Sequence, residues 1–170
     1  AFRYIALLFA QNSVVIKYVE KHGVVSQIIY PKGKSWKRPT VLLTGHIDVV
    51  PSAVSADFSP YVTRGKLYGR GAADMKGALA AMIVAFQQTL AVCPDASIAL
   101  LIVSDEEIGG ENGTGYCTRE LGCTPRFVIN GDGASTKRIT LTTKEKGGVW
   151  LALTARGKGA HGSRPWLGDN

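Results

Sequence analysis

An apolar run of strand length, Ile98–Val103, constrains the fold of this 170-residue chain most strongly, because acidic residues follow it at once. Six consecutive apolar residues are typical of a strand that is buried on both faces of a sheet. The next residues include Asp105-Glu106-Glu107, so both glutamates emerge where the strand meets its loop. Adjacent carboxylates repel one another and are costly to hold near a core unless a positive charge lies between them.

Polar side chains lie at comparable positions elsewhere in the chain. His46 and Asp48 follow one short apolar run, Asp132 follows another, and Asp74 lies in a glycine-rich turn. A histidine and several carboxylates at the ends of secondary-structure elements indicate a metal site, in which one glutamate binds metal and its neighbour moves protons. The alternative for a Glu-Glu pair taken alone is an ordinary solvated surface.

The middle of the chain has the pattern strand, helix, strand. Residues 40–44, 98–103 and 127–130 are short apolar runs, and residues 76–90 carry apolar side chains at helical spacing. A strand–helix–strand unit predicts a largely parallel sheet with a right-handed crossover, and ligands of such sheets gather beyond the carboxyl ends of the strands. We therefore predict an α/β fold with a largely parallel mixed sheet flanked by helices.

The N-terminal region has a different pattern. Residues 14–21 predict a helix that ends at His22 and Gly23, with glycine as the C-cap and a histidine suited to the helix dipole. We therefore interpret His22 as structural rather than as a ligand. Residues 24–30 predict a strand, and residues 31–39 predict a basic loop.

The amino-acid composition and the net charge limit the classes of binding partner. The apolar share of 45% and the charged share of 19% are those of a globular protein. A net charge of +7 raises nucleic acid as a partner, but the basic residues are dispersed and lack aromatic interleaving. We predict no nucleic-acid partner. A basic surface would equally attract small anionic substrates.

The cysteines and the hydropathy of the chain bear on its cellular location and on whether it crosses a membrane. The three cysteines show no CxxC spacing, which favours reduced thiols and a cytoplasmic protein. A membrane-spanning helix needs about 20 apolar residues in a row. We find no such run and predict no membrane segment.

The candidate ligands suit a pair of divalent ions. Imidazole and carboxylate groups without thiolates favour zinc, with cobalt or manganese as alternatives. Asp74 could bridge both ions, because a carboxylate has two oxygens. His46 and Asp132 could complete the shell of one ion, and Glu107 would serve the other.

Glu106 is then placed to move protons. A water activated by the metals would attack a carbonyl, and Glu106 would take its proton and return it to the departing amine. Asp48, two residues after His46, is suitably placed to hydrogen-bond the far nitrogen of that imidazole. For Arg70 and Lys76, a structural partnership with the acids and a role elsewhere both stay open.

Four motifs closely resemble those of one enzyme family, in the same order. They are GHIDVVP at 45–51, LYGRGAADMKG at 67–77, SDEE at 104–107 and GAHGSRP at 159–165. The family is that of the co-catalytic zinc hydrolases, which includes succinyl-diaminopimelate desuccinylase, acetylornithine deacetylase, aminoacylase and the glutamate carboxypeptidases. The resemblance covers nearly the whole chain.

The resemblance implies a role for each candidate residue. It implies metal ligation by His46, Asp74, Glu107 and Asp132, and catalytic roles for Glu106 and Asp48. The family often has glutamate where this chain has Asp132. The resemblance also implies a cis peptide between Asp74 and Met75. Finally, it implies that His161 comes from a lid or dimerisation domain and helps to stabilise the tetrahedral intermediate, often across a dimer.

The resemblance also implies a division into domains. Residues 1–146 would be the N-terminal part of a catalytic metal-binding domain, and residues 147–170 would begin an α+β lid or dimerisation domain. The apolar pattern of residues 149–155 itself predicts a strand there. The family has a further metal-binding histidine late in a chain roughly twice this long. We therefore expect a longer, homodimeric parent protein, and we expect the 170 residues alone to lack a complete site.

The predicted activity is cleavage of the amide bond of an N-acyl amino acid, because the AADM form of the central motif resembles the desuccinylase and deacetylase branch. Dipeptidase or carboxypeptidase activity on a short peptide is the alternative within the family. A non-catalytic binding module is the alternative of another class. Glu106 argues against that module, because metal binding alone does not require a base.

Overall fold

The computed structural model describes residues 1–133, 142–144, 147–149, 151–154 and 156–169. The chain divides into two compact units, Ala1–Arg138 and Ile139–Asn170. The first unit has this element order: α1 (Phe2–Leu8), β1 (Val14–Lys21), β2 (Val24–Pro31), β3 (Val41–His46), β4 (Tyr61–Thr63), β5 (Lys66–Tyr68), α2 (Gly77–Val92), β6 (Ile98–Val103), a π-helix (Glu111–Glu120) and β7 (Phe127–Asn130).

Five of the strands form one mixed sheet in the order β1-β2-β6-β3-β7, and β4 and β5 form a separate hairpin. β3 runs parallel to both β6 and β7, whereas β2 runs antiparallel to β1 and β6. Helix α2 connects β3 to β6 along the chain and completes the predicted strand–helix–strand unit. The predicted α/β class with a mixed sheet is therefore confirmed.

The central strand β6 is buried at all six positions. On one face, Leu100 and Ile102 belong to a core that includes Phe86 of α2 and Phe9. On the other face, Leu101 belongs to a second core that includes Trp36 and Cys117. A strand covered on both sides has to be apolar throughout, which explains the uninterrupted run in the sequence.

The predicted helix at 14–21 is wrong, because these residues form strand β1. Lys21 pairs with Val24 across a two-residue turn, and His22 and Gly23 have φ angles of 50° and 81°. Positive φ at both central residues is the geometry of the tight turn that matches the twist of a hairpin. Gly23 therefore serves a hairpin rather than a helix cap.

The other predicted strands in the first unit are present, with β3 extending two residues further than predicted. Helix α1, the β4–β5 hairpin and the π-helix were not predicted. The strand predicted at 149–155 is absent from residues 149 and 151–154, which are the described residues of that stretch. A strand needs a hydrogen-bonded neighbour, and the described part of the second unit has only one isolated bridge, between Lys158 and Asp169.

The hydropathy prediction needs one correction. The stretch Ala72–Val92, which consists of α2 and the irregular turn before it, is long and apolar enough, by length and composition, to cross a membrane. Core helices of soluble proteins meet the same criterion. In this fold the apolar face of α2, which includes Leu79, Ile83 and Phe86, packs in the core.

The parallel pairing aligns the ends of three strands. His46 lies opposite Val103, and Thr44 lies opposite Asn130. The loops that follow β3, β6 and β7 therefore leave the sheet at one edge. The predicted site residues that follow these strands are brought to this edge by backbone pairing alone.

Asp105 anchors the loop that carries the two glutamates. Its side chain is buried, and Oδ2 accepts hydrogen bonds from the backbone N–H groups of Asn112 and Gly113, at 2.9 and 2.8 Å. Gly113 leaves no room for a side chain, since an added Cβ would contact Asp105 Oδ1 and lie 2.9 Å from Cβ of Val103.

The first prediction concerns Gly113→Ala. The added methyl group has to displace Asp105 or Val103, so we expect the free energy of unfolding to fall by about 1–3 kcal/mol, the usual cost of overpacking. Urea denaturation followed by circular dichroism measures this. Gly133→Ala is the matched control, because its Cβ would meet open space. Equal midpoints for the two variants would contradict the packing assigned to Gly113.

Candidate metal and catalytic centre

The centre is built around His46, the last residue of β3, which is only 1% exposed. Its Nδ1 lies 3.0 Å from the backbone carbonyl oxygen of Asp48, a group that can only accept a hydrogen bond. Nδ1 therefore carries a hydrogen. In the neutral ring, Nε2 keeps its lone pair, and Nε2 lies 3.0 Å from Oδ1 of Asp74 and 3.9 Å from Oε2 of Glu106.

Opposing influences act on the pKa of His46. Burial is the largest and lowers the pKa, because it disfavours the charged ring. The bond to the carbonyl of Asp48, the charges of Asp48 and Glu106, and the bond to Asp74 all raise it. Together they leave the pKa of His46 raised, so the ring is surrounded by groups that stabilise a positive charge.

Three predicted ligands come together at this point. Donor atoms of His46, Asp74 and Asp132 all lie within 4.8 Å of one another. They are contributed by the end of β3, the turn before α2 and the segment after β7. Two carboxylates converging on the lone pair of an imidazole suit a divalent cation, so the residues present fit the predicted metal.

The turn that carries Asp74 is irregular. Asp74 and Met75 depart from helical φ and ψ, and the peptide bond between them is cis, as the resemblance implied. Met75 is buried, and its Sδ accepts a hydrogen bond from the backbone N–H of His46 at 3.2 Å. An added Cβ on Gly45 would lie 2.6 Å from the Met75 methyl group, so this glycine allows the turn to pack on β3.

Asp48 links His46 to Glu107. Its Oδ2 accepts a hydrogen bond from the backbone N–H of Glu107 at 2.9 Å, and its Oδ1 lies 3.4 Å from Nδ1 of His46. The predicted hydrogen bond to the far nitrogen of the imidazole is thus made mainly by the backbone carbonyl of Asp48, not by its carboxylate. Within the described part of the chain, the buried Oδ1 has no hydrogen-bond partner of its own.

Glu107 lies apart from the three clustered ligands. Its Oε1 accepts a hydrogen bond from the backbone N–H of Val50 at 3.2 Å. Glu107 and Asp74 both border a cavity of about 530 Å³. The assignment of Glu107 as a ligand of a second metal ion stays a prediction. The contact from Val50 is a backbone interaction that no side-chain pattern in the sequence could have indicated.

Glu106 faces the same centre. Partial burial is the largest cause that raises the pKa of this carboxyl group, and the charge of His46 lowers it. The neighbouring carboxylates, Asp132 and Glu107 first, raise it further. The result is a raised pKa, which makes the carboxylate a better proton acceptor near neutral pH than an ordinary surface glutamate.

The two basic residues left open by the sequence do not pair with the metal-site acids. Arg70 lies 3.6 Å from Asp57. Lys76 has no carboxylate within ion-pair distance among the described residues. Its Nζ lies over Gly71, where an added Cβ would approach it to 2.6 Å. Burial lowers the pKa of Lys76, and the nearby acids Asp48, Asp74 and Glu107 oppose that effect.

His161 belongs to the second unit and is exposed. Its Nδ1 contacts Ser163 at 2.8 Å through Oγ and at 3.3 Å through the backbone N–H. Ser163 lies two residues after His161, as Asp48 does after His46, and it was not predicted to be a site residue. The oxyanion role of His161 stays a prediction.

Comparison with known families gives one match over most of the chain. The model of peptidase family M20/M25/M40 matches residues 42–161. That range includes the motifs around His46, Asp74 and Glu106, and it ends at His161.

Two related proteins are similar to this chain in sequence. The chain is 40% identical over 144 residues to a succinyl-diaminopimelate desuccinylase of Xanthomonas euvesicatoria, covering 78% of this chain and 38% of that protein. It is 35% identical over 187 residues to a probable carboxypeptidase of Paracoccidioides lutzii, covering 95% of this chain and 41% of that protein. The chain thus spans about two fifths of the length of these relatives.

A solved structure shares the fold. The crystal structure of human carnosine dipeptidase 1 aligns with a TM-score of 0.50 and 23% sequence identity, over 76% of this chain and 32% of that chain. At this identity the likeness concerns the arrangement of the sheet and helices alone.

The second prediction concerns the support that Asp48 gives to the centre. In the full-length protein, Asp48→Ala removes the acceptor for the Glu107 backbone N–H and the charge beside His46. We expect metal affinity to fall by ~10–100-fold, the usual effect of losing a group that orients metal ligands. Competition with a chromophoric chelator measures it. Asp95→Ala removes an exposed carboxylate near Lys34 and is the control. Parental affinity in Asp48→Ala would contradict the supporting role.

Proposed function

The chain belongs to peptidase family M20/M25/M40, and we propose on this basis that the protein is a metal-dependent hydrolase that cleaves the amide bond of an N-acyl amino acid. The observation that carries the proposal is the convergence of His46, Asp74 and Asp132 within 4.8 Å, with Glu106 beside them. This arrangement offers metal ligands and a proton acceptor at one edge of a sheet.

The residues of the centre have two different roles in the proposed hydrolysis, metal binding and proton transfer. Divalent ions held by His46, Asp74, Asp132 and Glu107 would supply a polarised carbonyl and a water of lowered pKa. Glu106 accepts a proton from the attacking water and donates it to the leaving amine nitrogen as the amide bond breaks. Its raised pKa favours the first transfer, because a more basic carboxylate is a better proton acceptor.

Zinc is the ion that this set of donors favours, with cobalt and manganese as alternatives. The donors are one imidazole and three carboxylates, without a thiolate. The three cysteines, Cys93, Cys117 and Cys123, are free thiols. Free thiols are consistent with the proposed cytoplasmic location. A homodimer of the full-length protein is part of the same proposal.

The cavity beside Asp74 and Glu107 offers space for a small substrate. Its volume of about 530 Å³ falls within the range of small-molecule sites. Tyr61 and Tyr68 form part of its wall, with their rings stacked 5.1 Å apart. Arg70 also borders it. This mixture supports an acyl amino acid or a short peptide as the substrate class.

Cleavage of peptides is the second candidate. The specific observation in its favour is the probable carboxypeptidase from Paracoccidioides lutzii, which aligns over 95% of this chain. A peptide and an N-acyl amino acid share the same scissile amide, so the centre itself supports both. The difference lies in the groups that contact the rest of the substrate.

The third prediction tests the role of Glu106. Glu106→Gln keeps the size of the side chain and removes the proton acceptor. We expect turnover by the full-length protein to fall by ~10²–10⁴-fold, with metal content unchanged. Steady-state kinetics and elemental analysis of the same samples measure the two quantities.

The control for this experiment is Glu120→Gln, which makes the same chemical change in an ion pair with Lys21 at the surface. We expect parental turnover in this variant. If Glu106→Gln and the parent turn over equally, Glu106 is not the base. If the parent hydrolyses nothing in a broad amide panel, the non-catalytic alternative is favoured.

The fourth prediction concerns metal dependence and substrate class. The full-length protein is assayed against N-succinyl and N-acetyl amino acids, dipeptides and C-terminally blocked peptides. We expect the highest kcat/KM for an N-acyl amino acid, loss of activity after dialysis against a chelator, and recovery with zinc. A preference for dipeptides would favour the second candidate. Activity unaffected by thorough metal removal would rule out the metal mechanism.

A further inference from the structure

The hairpin of β4 and β5 places two tyrosines in the wall of the cavity beside Asp74 and Glu107. Tyr61 lies opposite Tyr68, and their rings stack with centroids 5.1 Å apart and 8° between the ring planes. Both residues border the cavity, and they are 58% and 43% exposed. A stacked pair covers one face of each ring and leaves the other. The pair therefore offers open aromatic surface in this wall.

The two faces of the hairpin differ. Successive side chains of a strand point to opposite faces, so the paired Val62 and Leu67 lie on the face away from the tyrosines. Both are exposed, and neither belongs to the cavity wall. The cavity is thus bordered by the tyrosine face of the hairpin. All of its wall residues lie between positions 50 and 107, within the first unit.

Contacts at the base of the hairpin hold the tyrosine pair in place. An added Cβ on Gly69, which follows Tyr68, would lie 3.2 Å from Cβ of Pro60, so the two chain segments approach closely there. The backbone N–H of Arg70 donates to the carbonyl of Asp57 at 2.7 Å. The tyrosine surface is therefore fixed relative to the turn that carries Asp74.

The centre is bordered by two cavities, and each contains a different glutamate. Glu107 and Asp74 border the cavity with the tyrosines, whereas Glu106 and His46 border a second cavity of about 380 Å³. In the proposed hydrolysis Glu106 donates a proton to the amine nitrogen, so the amine part of the substrate lies on the side of Glu106. The acyl part, across the scissile amide, then lies toward the tyrosines.

Charge determines which acyl group suits this wall. Its charged residues are Asp57, Asp74, Glu107 and Arg70, so Arg70 is the one basic residue among the described wall residues. Arg70 lies 3.6 Å from Asp57, and the two charges offset one another. With Asp74 and Glu107 assigned to metal binding, no net positive charge is left for a second carboxylate, such as that of a succinyl group. A neutral aromatic group avoids this difficulty.

We propose that Tyr61 and Tyr68 are specificity-determining residues that hold a flat aromatic group on the acyl side of the scissile amide, such as a phenylacetyl group. This inference rests on the proposed hydrolase function and names the acyl group that the centre itself leaves open. The aromatic group gains contact with the open ring surface of the tyrosine pair, whereas an acetyl group is too small to make that contact.

Substrates that share one amine part test the proposal in the full-length protein. They are N-phenylacetyl-alanine, N-acetyl-alanine and N-succinyl-alanine, and we expect the highest kcat/KM for the first. We expect Tyr61→Ala to lower kcat/KM for the phenylacetyl substrate by roughly tenfold, and for the acetyl substrate by less than about twofold, because the latter lacks the aromatic contact. Tyr61→Phe keeps the ring and should keep the parental ratio.

The matched control is Val62→Ala, which removes an apolar side chain from the opposite face of the same hairpin. We expect the parental ratio of the two kcat/KM values in this variant. An equal loss in Val62→Ala and Tyr61→Ala would mean that hairpin stability, not ring contact, sets the preference, and it would overturn the proposal. A parent protein that prefers the succinyl substrate would also overturn it.

Binding separates failure of this inference from failure of the proposed function. Phenylacetate and succinate, the free acids of two acyl groups, are titrated into the metal-loaded full-length protein by calorimetry. We expect tighter binding of phenylacetate, and we expect Tyr61→Ala to remove the difference. Equal binding of phenylacetate by Tyr61→Ala and the parent would contradict the tyrosine site. If the hydrolase function alone is wrong, no amide is cleaved, while phenylacetate binding still depends on Tyr61.

Discussion

The parallel pairing of β3 with β6 and β7 is the constraint on which the rest of the site depends. Backbone hydrogen bonds set this register, and they bring the ends of three strands to one edge of the sheet. His46, the Glu106-Glu107 pair and Asp132 are distant in the sequence, yet each follows or ends one of these strands. The two apolar cores on either side of β6 hold the strands in place, so the positions of the acids are stabilised by packing far from the chemistry.

At this edge of the sheet, hydrogen bonds from backbone N–H groups hold several acidic side chains in place. Asp48 accepts from the N–H of Glu107, and Glu107 accepts from the N–H of Val50. Asp105 likewise accepts from two N–H groups at the start of the π-helix. These hydrogen bonds from backbone N–H groups fix the direction in which each carboxylate points. Arg70 pairs with Asp57 rather than with these acids.

The sequence predicted the parts of the fold whose burial is uniform. The run 98–103 is apolar because β6 is covered on both faces, and the site residues follow from the ends of such strands. Residues 14–21 were wrongly predicted as a helix. They form β1, an edge strand of mixed exposure, and the apolar residues of such a strand can fit a helical spacing as well as an alternating one. The β-branched residues in the two flanking segments, 14–19 and 24–29, were the signal for a hairpin around His22-Gly23. The contact from Val50 to Glu107 depends on a backbone N–H group, which all residues except proline have, so the sequence could not show it.

The central claim is that one edge of the sheet holds metal ions between its imidazole and its carboxylates. Anomalous X-ray diffraction at the zinc edge, from crystals of the full-length protein grown with zinc, tests it most directly. We expect one peak bounded by Nε2 of His46 and by oxygens of Asp74 and Asp132, and a second peak beside Glu107 that shares Asp74. Zinc bound only at other positions, with these side chains in place and free of metal, would contradict the account.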